Sequence, residues 1–199
     1  MSMEQKGALF VISGPSGVGK GTIIQGAMQK LAERTDIKVS LAVSVTTRAP
    51  RLGEIDGVHY HFISREKFFE LLEQGELLEY TKYAGNYYGT PAKEIVERTR
   101  EGTFVLLDIE TAGAMEVKKN WPDAVLCFIL PPSMEELERR LRARGTETEE
   151  SIARRLEIAE NERAKANLYD YQILNDTLLE AVDRLVDVLL SWKNKKGAK

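Results

Sequence analysis

The chain has 199 residues, 43% of them hydrophobic and 30% charged, with a net charge of −3. That length and apolar content fit one domain with a sizeable core and room for insertions. The near-balance of charge argues against a nucleic-acid binder that relies on a basic surface, and no apolar run approaches the roughly 18 residues of a membrane span.

The N-terminus lacks a signal-peptide pattern. The single cysteine, Cys127, lies inside the apolar run 124–130, so it forms no intramolecular disulfide and reads as a small core hydrophobe in a reducing compartment. A cytoplasmic location is the expectation.

Apolar runs and helix-period segments alternate along the chain, which predicts an α/β fold with a parallel sheet flanked by helices. A buried strand is expected over 8–13. A helix follows over 22–34, with Ile23, Ile24, Ala27, Met28 and Leu31 on one face. Further strands are expected over 39–43, 104–109, 125–130 and 171–174. A terminal helix over 178–190 carries a seam of Leu179, Val182, Leu185, Val186 and Leu189.

The alternation breaks between 44 and 88. Short strands over 58–63 and 77–83 surround a helix from 65 to 74 that Ser64 is placed to cap. This reads as an insertion with its own small sheet. A second departure spans 132–169. Ser133-Met134-Glu135-Glu136 is a capping-box signature, Gly145 and Thr146 interrupt the helix it opens, and a long helix follows over 149–169. Helix, turn and helix, loaded with arginines, is the pattern of a movable lid.

Between the first strand and first helix stands Gly14-Pro15-Ser16-Gly17-Val18-Gly19-Lys20-Gly21-Thr22. Glycines there let backbone N–H groups turn inward and, with the helix N-terminus, form a nest for phosphate oxygens. Lys20 adds a charge that reaches the β- and γ-phosphates. Gly21 occupies the position where a hydroxyl residue usually binds Mg²⁺. By itself the motif implies a bound nucleoside triphosphate and leaves the reaction open.

A second anion site is indicated by residues 44–54, where Arg48 and Arg51 flank Pro50 and Ser44, Thr46 and Thr47 add hydroxyls. The planar guanidinium fork suits phosphate. Tyr87 and Tyr88, adjacent on an extended segment, should face opposite ways. Thr90 and Pro91 read as the N-cap and first residue of a helix. Glu79 ends an apolar stretch. A carboxylate lining a cleft accepts hydrogen bonds from guanine N1–H and the exocyclic amine, a pair of donors that adenine lacks.

Together, residues 14–22, 44–54, 56–62, 85–91 and 144–151 resemble the guanylate kinase family over nearly the whole chain. The resemblance implies a core over 1–43, 89–131 and 170–199, a GMP-binding insertion over 44–88, and a lid with its adjoining helix over 132–169. It also implies phosphoryl transfer from ATP to GMP. Gly14, Pro15, Ser16, Gly17, Val18, Gly19, Lys20, Gly21 and Thr22 would hold the ATP phosphates, with Asn175 beside the adenine. Arg48, Arg51, Tyr60 and Tyr88 would hold the GMP phosphate. Ser44, Glu79 and Glu110 would read guanine, with Thr90 close by.

Arg140, Arg144 and Arg155 match the family's lid arginines. Asp108, at a strand end, would orient Mg²⁺ and its waters, the metal being held mainly by nucleotide oxygens and water rather than by a direct protein ligand. The family usually has Asp where Glu110 stands and Gln where Ala112 stands. Monophosphate kinases often carry Gly-Thr after the loop lysine, as Gly21-Thr22 does here. Expected partners are ATP and GMP, with no nucleic acid and no membrane, and no segment specifies an oligomeric state. The competing class is a catalytically inactive guanylate-kinase-like module that binds phosphopeptides.

Overall fold

The computed structural model of the chain describes residues 7–33, 37–83, 85–143 and 148–197. Its main sheet has five parallel strands: β1 (Ala8–Ser13), β2 (Val39–Leu41), β7 (Phe104–Asp108), β8 (Val125–Leu130) and β9 (Tyr171–Leu174), in the order β2-β7-β1-β8-β9. In the three central strands nearly every residue is apolar because both faces of the sheet are covered.

Alternation assigns each residue to a face. Phe10, Ile12, Leu106, Cys127 and Ile129 join one cluster with the helices α1 (Lys20–Ala32) and α7 (Leu178–Gly197). Leu9, Val11, Val105, Leu107, Leu126 and Phe128 join the other, with α3 (Ala92–Arg100) and α4 (Thr111–Asn120) contributing Ile95, Ala114 and Val117. Cys127 is fully buried, and that burial pushes its thiol pKa far up.

A second sheet has four strands in the order β4-β3-β6-β5: β3 (Val45–Thr46), β4 (His61–Phe62), β5 (Leu77–Tyr83) and β6 (Asn86–Pro91). β3 pairs in parallel with β4 and antiparallel with β6, and β5–β6 is an antiparallel hairpin. The helix α2 (Arg65–Glu73) buries Phe68 against it, and the Ser64 hydroxyl accepts from the Lys67 N–H at 3.2 Å, the cap that the sequence predicts. α5 (Met134–Ala143) and α6 (Glu149–Arg163) complete the chain. Ser133 Oγ accepts from the Glu136 N–H at 3.1 Å at the start of α5.

Several boundaries move for physical reasons. α1 begins at Lys20, not 22, because Gly19 caps it in the left-handed region at φ 97°. The strand expected over 58–63 shrinks to His61–Phe62. Residues 55–60 form a turn in which the Val58 and His59 N–H groups donate to the Ile55 carbonyl and the Asp56 carboxylate accepts from the Phe62 N–H. The long helix expected to reach 169 ends at Arg163, and a 3₁₀ turn (Ala166–Leu168) carries Tyr169 onto Phe128, ring centroids 4.9 Å apart.

β6 and α4 lack a plain sequence signal. The extended hairpin strand runs through Pro91, so the second sheet continues beyond residue 88. Thr90 does not cap α3, because its hydroxyl is committed to Glu79. In α7 the buried stripe starts at Ala181, and Leu179 is exposed. No helix among the described residues is long and apolar enough to cross a membrane.

Candidate active site

The loop after β1 is shaped by close approach. A Cβ on Gly14 would lie 2.5 Å from the Ile129 carbonyl oxygen, and one on Gly19 would lie 2.9 Å from Asn175 Nδ2. Val18 is fully buried beneath the loop, its N–H donating to the Pro15 carbonyl at 3.1 Å. Lys20 opens α1, its Nζ donating to the Gly14 carbonyl at 2.7 Å and standing 3.9 Å from Asp108 Oδ1. Pro15, Ser16, Gly17, Gly19, Gly21 and Thr22 line a cavity of about 520 Å³ with Lys20, Asp108 and Glu110. A Cβ at Gly21 would meet nothing within 4 Å, so glycine there answers no steric demand.

Asn175 and Arg140 are not among the residues that line that cavity. Asn175 is 95% inaccessible, and its side-chain amide donates to the Val18 carbonyl at 2.7 Å, which makes it a brace under the loop. Arg140 donates through Nε to Glu136 at 2.8 Å and through Nη2 to the Asn175 carbonyl at 3.3 Å. Arg144 lies outside the described residues. Arg155, from α6, reaches the loop directly, its Nη1 donating to Ser16 Oγ at 2.6 Å.

The second sheet supplies the opposite wall. Arg48 donates through Nη1 and Nη2 to the two carboxylate oxygens of Glu54, each at 2.9 Å. Its guanidinium sits 5.6 Å from the Tyr60 ring centre. The Arg51 N–H donates to the same carboxylate at 2.7 Å. These contacts, Arg48 first, hold Glu54 down at about 2, and the pairing raises Arg48 in turn, with a hydrogen bond to Tyr88 adding to it. Tyr60 and Tyr88 meet edge to face, centroids 5.9 Å apart. Burial, followed by the charge of Asp108, raises the Tyr60 phenol. Tyr87 points the other way onto Phe68 and Phe69, as the alternation requires.

Glu79 is only 3% exposed. Thr90 Oγ1 donates to its Oε1 at 2.6 Å, and Ser44 Oγ lies 3.3 Å from the Thr90 hydroxyl. Burial pushes Glu79 up to about 7; the Thr90 bond opposes this, and the charges of Glu116 and Glu110 add to it. Burial also raises Asp108 and Glu110, with Lys20 opposing both and Glu162 adding to the second. Asp108 is open to the cleft at one side while protein surrounds the rest of it, so water reaches the carboxylate without fully solvating it.

Arg48, Arg51, Tyr60, Tyr88, Glu79, Ser44, Asp108, Glu110, Ser16 and Arg155 all line one cavity of about 460 Å³. It shares Ser16, Ser44, Tyr60, Asp108 and Glu110 with the loop cavity, so the two are halves of one cleft. Both volumes are those of small-ligand sites. The two walls, one at the glycine loop and one at the arginines, meet at Asp108, which lines both halves. Between them they can bring two phosphate-bearing ligands together.

Sequence reading passed over Glu54 as a partner of Arg48, and over Ile109, Gly113, Thr81 and Tyr83 as cleft residues. Glu54 carried a signal in its spacing, an acid a few residues from two arginines in a loop. Gly113 carried a weaker one, a glycine in the first turn of a helix.

A statistical model of the guanylate kinase family matches residues 6–191. The guanylate kinase of Desulfitobacterium hafniense is 47% identical over 192 residues, covering 96% of this chain and 94% of that one. That of Trichormus variabilis is 50% identical over 184 residues, covering 92% and 89%. The crystal structure of guanylate kinase from Anaplasma phagocytophilum superposes with a TM-score of 0.75 at 33% identity, covering 96% of this chain and 88% of that one. The chain belongs to the guanylate kinase family, a group of nucleoside monophosphate kinases.

Proposed function

We propose that this protein transfers the γ-phosphoryl group of ATP to GMP, giving ADP and GDP. The observation that carries this reading is the shared cleft, with Lys20 and the glycine loop on one wall, Arg48, Arg51, Tyr60 and Tyr88 on the other, and a buried carboxylate at the second wall's end. GMP fits the second wall, its phosphate on the two arginines and the tyrosines. Its N1–H and exocyclic amine donate to Glu79, with Ser44 and Glu110 at the rim.

The acceptor is a phosphate oxygen that is already anionic, so no side-chain nucleophile is required. Transfer passes through a loose transition state, and the protein's task is to align and neutralise. Lys20 holds the terminal phosphates from below. Arg155, already on Ser16, covers the transferring group from α6, and the segment around it acts as a lid that excludes water on closing. Arg140 and the buried Asn175 amide support the loop from behind.

Asp108 and Glu110 line the loop cavity, a donor set suited to Mg²⁺ that takes most of its ligands from nucleotide oxygens and water, with Asp108 orienting those waters. The metal would neutralise charge on the triphosphate. A place in purine nucleotide recycling and a cytoplasmic location follow from this reading. The domain division also belongs to it, with residues 44–88 carrying GMP and 132–169 forming the lid.

A coupled assay of ADP formation with ATP and GMP tests the reading. Turnover with GMP and negligible turnover with AMP, dTMP or shikimate is expected. ADP formation that does not depend on GMP, or that prefers another acceptor, overturns it.

A further inference from the structure

Gly113 occupies the first turn of α4, a position where its backbone is ordinary helix and no conformational demand calls for glycine. Glycine in such a place is less favourable than alanine, because more backbone freedom is lost on folding. The surroundings explain it. A Cβ on Gly113 would lie 2.7 Å from Glu79 Oε2 and 3.3 Å from Glu79 Cδ, and contacts under 3.0 Å are essentially never made by real Cβ atoms.

The obstructing atom is the end of a side chain, so the helix itself is not blocked. That end nevertheless has little freedom. Glu79 is 3% exposed, and its other carboxylate oxygen is tied to Thr90 Oγ1 at 2.6 Å. Gly113 and Glu79 both line the cleft. A methyl group at 113 could be accommodated only by swinging the carboxylate off its seat or by breaking the Thr90 bond.

We propose that Gly113 is a specificity-determining residue that seats the Glu79 carboxylate between Thr90 and the α4 backbone, in the position that receives the guanine edge. The inference rests on the reading of Glu79 as the guanine acceptor. A carboxylate moved by a fraction of its own length loses one or both of its bonds to the base. The phosphate wall and the loop around Lys20 stay as they are, so the loss falls on GMP affinity rather than on the transfer step.

A double-mutant cycle tests this, comparing wild type, Gly113→Ala, Glu79→Ala and the double variant. GMP dissociation constants come from calorimetry, alongside kcat and KM for ATP. Losing a hydrogen bond to a charged group predicts GMP binding weaker by about tenfold to a hundredfold in Gly113→Ala, with kcat at saturating GMP and KM for ATP essentially unchanged. In the Glu79→Ala background the carboxylate is gone and the Cβ meets Ile109 Cδ1 at 3.3 Å, the end of a flexible side chain, so Gly113→Ala should add little.

Equal effects of Gly113→Ala in both backgrounds would overturn the inference, because the methyl would then be acting on the ligand directly. A GMP affinity unchanged by Gly113→Ala, or a KM for ATP raised as much as GMP binding is weakened, overturns it as well. If Glu79→Ala itself leaves GMP affinity and the preference over AMP intact, the guanine-reading role of Glu79 is what fails.

Discussion

Arg48 and Glu54 are joined at two points, Nη1 to Oε2 and Nη2 to Oε1, each at 2.9 Å, on the wall of the cleft. A guanidinium has five donors. This pair uses two of them, Nη1 gives a third to the Ala49 carbonyl at 2.7 Å, and the side chain is held in one orientation on the cleft wall. Glu54 is thus a positioning residue for an arginine that would otherwise be ordered at the ligand's expense. Glu54→Gln keeps the shape and loses the charge. The expected result is weaker GMP binding, on the order of tenfold, with kcat little changed. Tighter binding would mean that Glu54 competes with the phosphate instead. With Glu54 held at about 2, the pair stays ionised across the working range and contributes no pH dependence between pH 5 and 8.

Glu79 behaves in the opposite sense. Its carboxyl is raised to about 7, first by burial, so in the free protein it is substantially protonated at neutral pH and below. A protonated carboxyl cannot accept both guanine donors. GMP binding should therefore weaken as pH falls below 7, by up to about tenfold per pH unit, and should release a proton near pH 6.5. Calorimetry in buffers of different ionisation enthalpy measures that proton. Glu79→Gln serves as the control that subtracts the ionisation of the GMP phosphate. The same raised pKa predicts the stability profile. Its stabilising contribution is present below the unfolded value near 4.5 and is lost as pH rises through about 7. The Tm of the wild type, relative to Glu79→Gln, should fall across that window. A flat difference would contradict it.

Lys20 and Arg155 are expected to act on the transfer step. Lys20 stands under the loop between Gly14 and Asp108, and Arg155 bonds to Ser16 from the far side. Arginines that contact a transferring phosphoryl group contribute about 10³–10⁵-fold to turnover in enzymes of this mechanism. Lys20→Ala and Arg155→Ala should each lower kcat by on the order of 10³-fold and leave the calorimetric GMP dissociation constant near its original value. A variant that keeps its kcat loses the role assigned to it.

Much of this was legible in the chain, and the part that was not has a common cause. β1, β7 and β8 are continuous apolar runs, and the loop after β1 announces itself by its glycines. The sequence groups Arg48, Arg51, Tyr60, Glu79 and Tyr88 in one site, and all five line one cavity. The strands β3 and β4 are two residues long, and their pairing is set by partners far along the chain, Val45 opposite Gly89 and His61. No local period signals such a strand. Thr90 shows the same limit. Next to Pro91 it has the local chemistry of a cap, but a carboxylate from the neighbouring strand takes its hydroxyl. Gly113 is glycine because of an atom that is distant in sequence.

Asn175 is the residue whose role the structure changes most. The family resemblance sets it beside the adenine, and its side-chain amide donates one hydrogen bond to the Val18 carbonyl at 2.7 Å, directly under Gly19. Its backbone N–H continues the ladder by donating to the Leu130 carbonyl at 2.8 Å. Asn175→Ala would leave the Val18 carbonyl without that partner in a buried setting, at about 1–3 kcal/mol, and would free the loop's crest to move. A lower Tm and a raised KM for ATP are expected, with the GMP dissociation constant unchanged. Asn175→Asp should be worse than Asn175→Ala, because an ionised carboxylate would face a carbonyl oxygen with no donor to offer. Equal Tm values for wild type and Asn175→Ala, with KM for ATP alone affected, would instead assign the amide to the nucleotide.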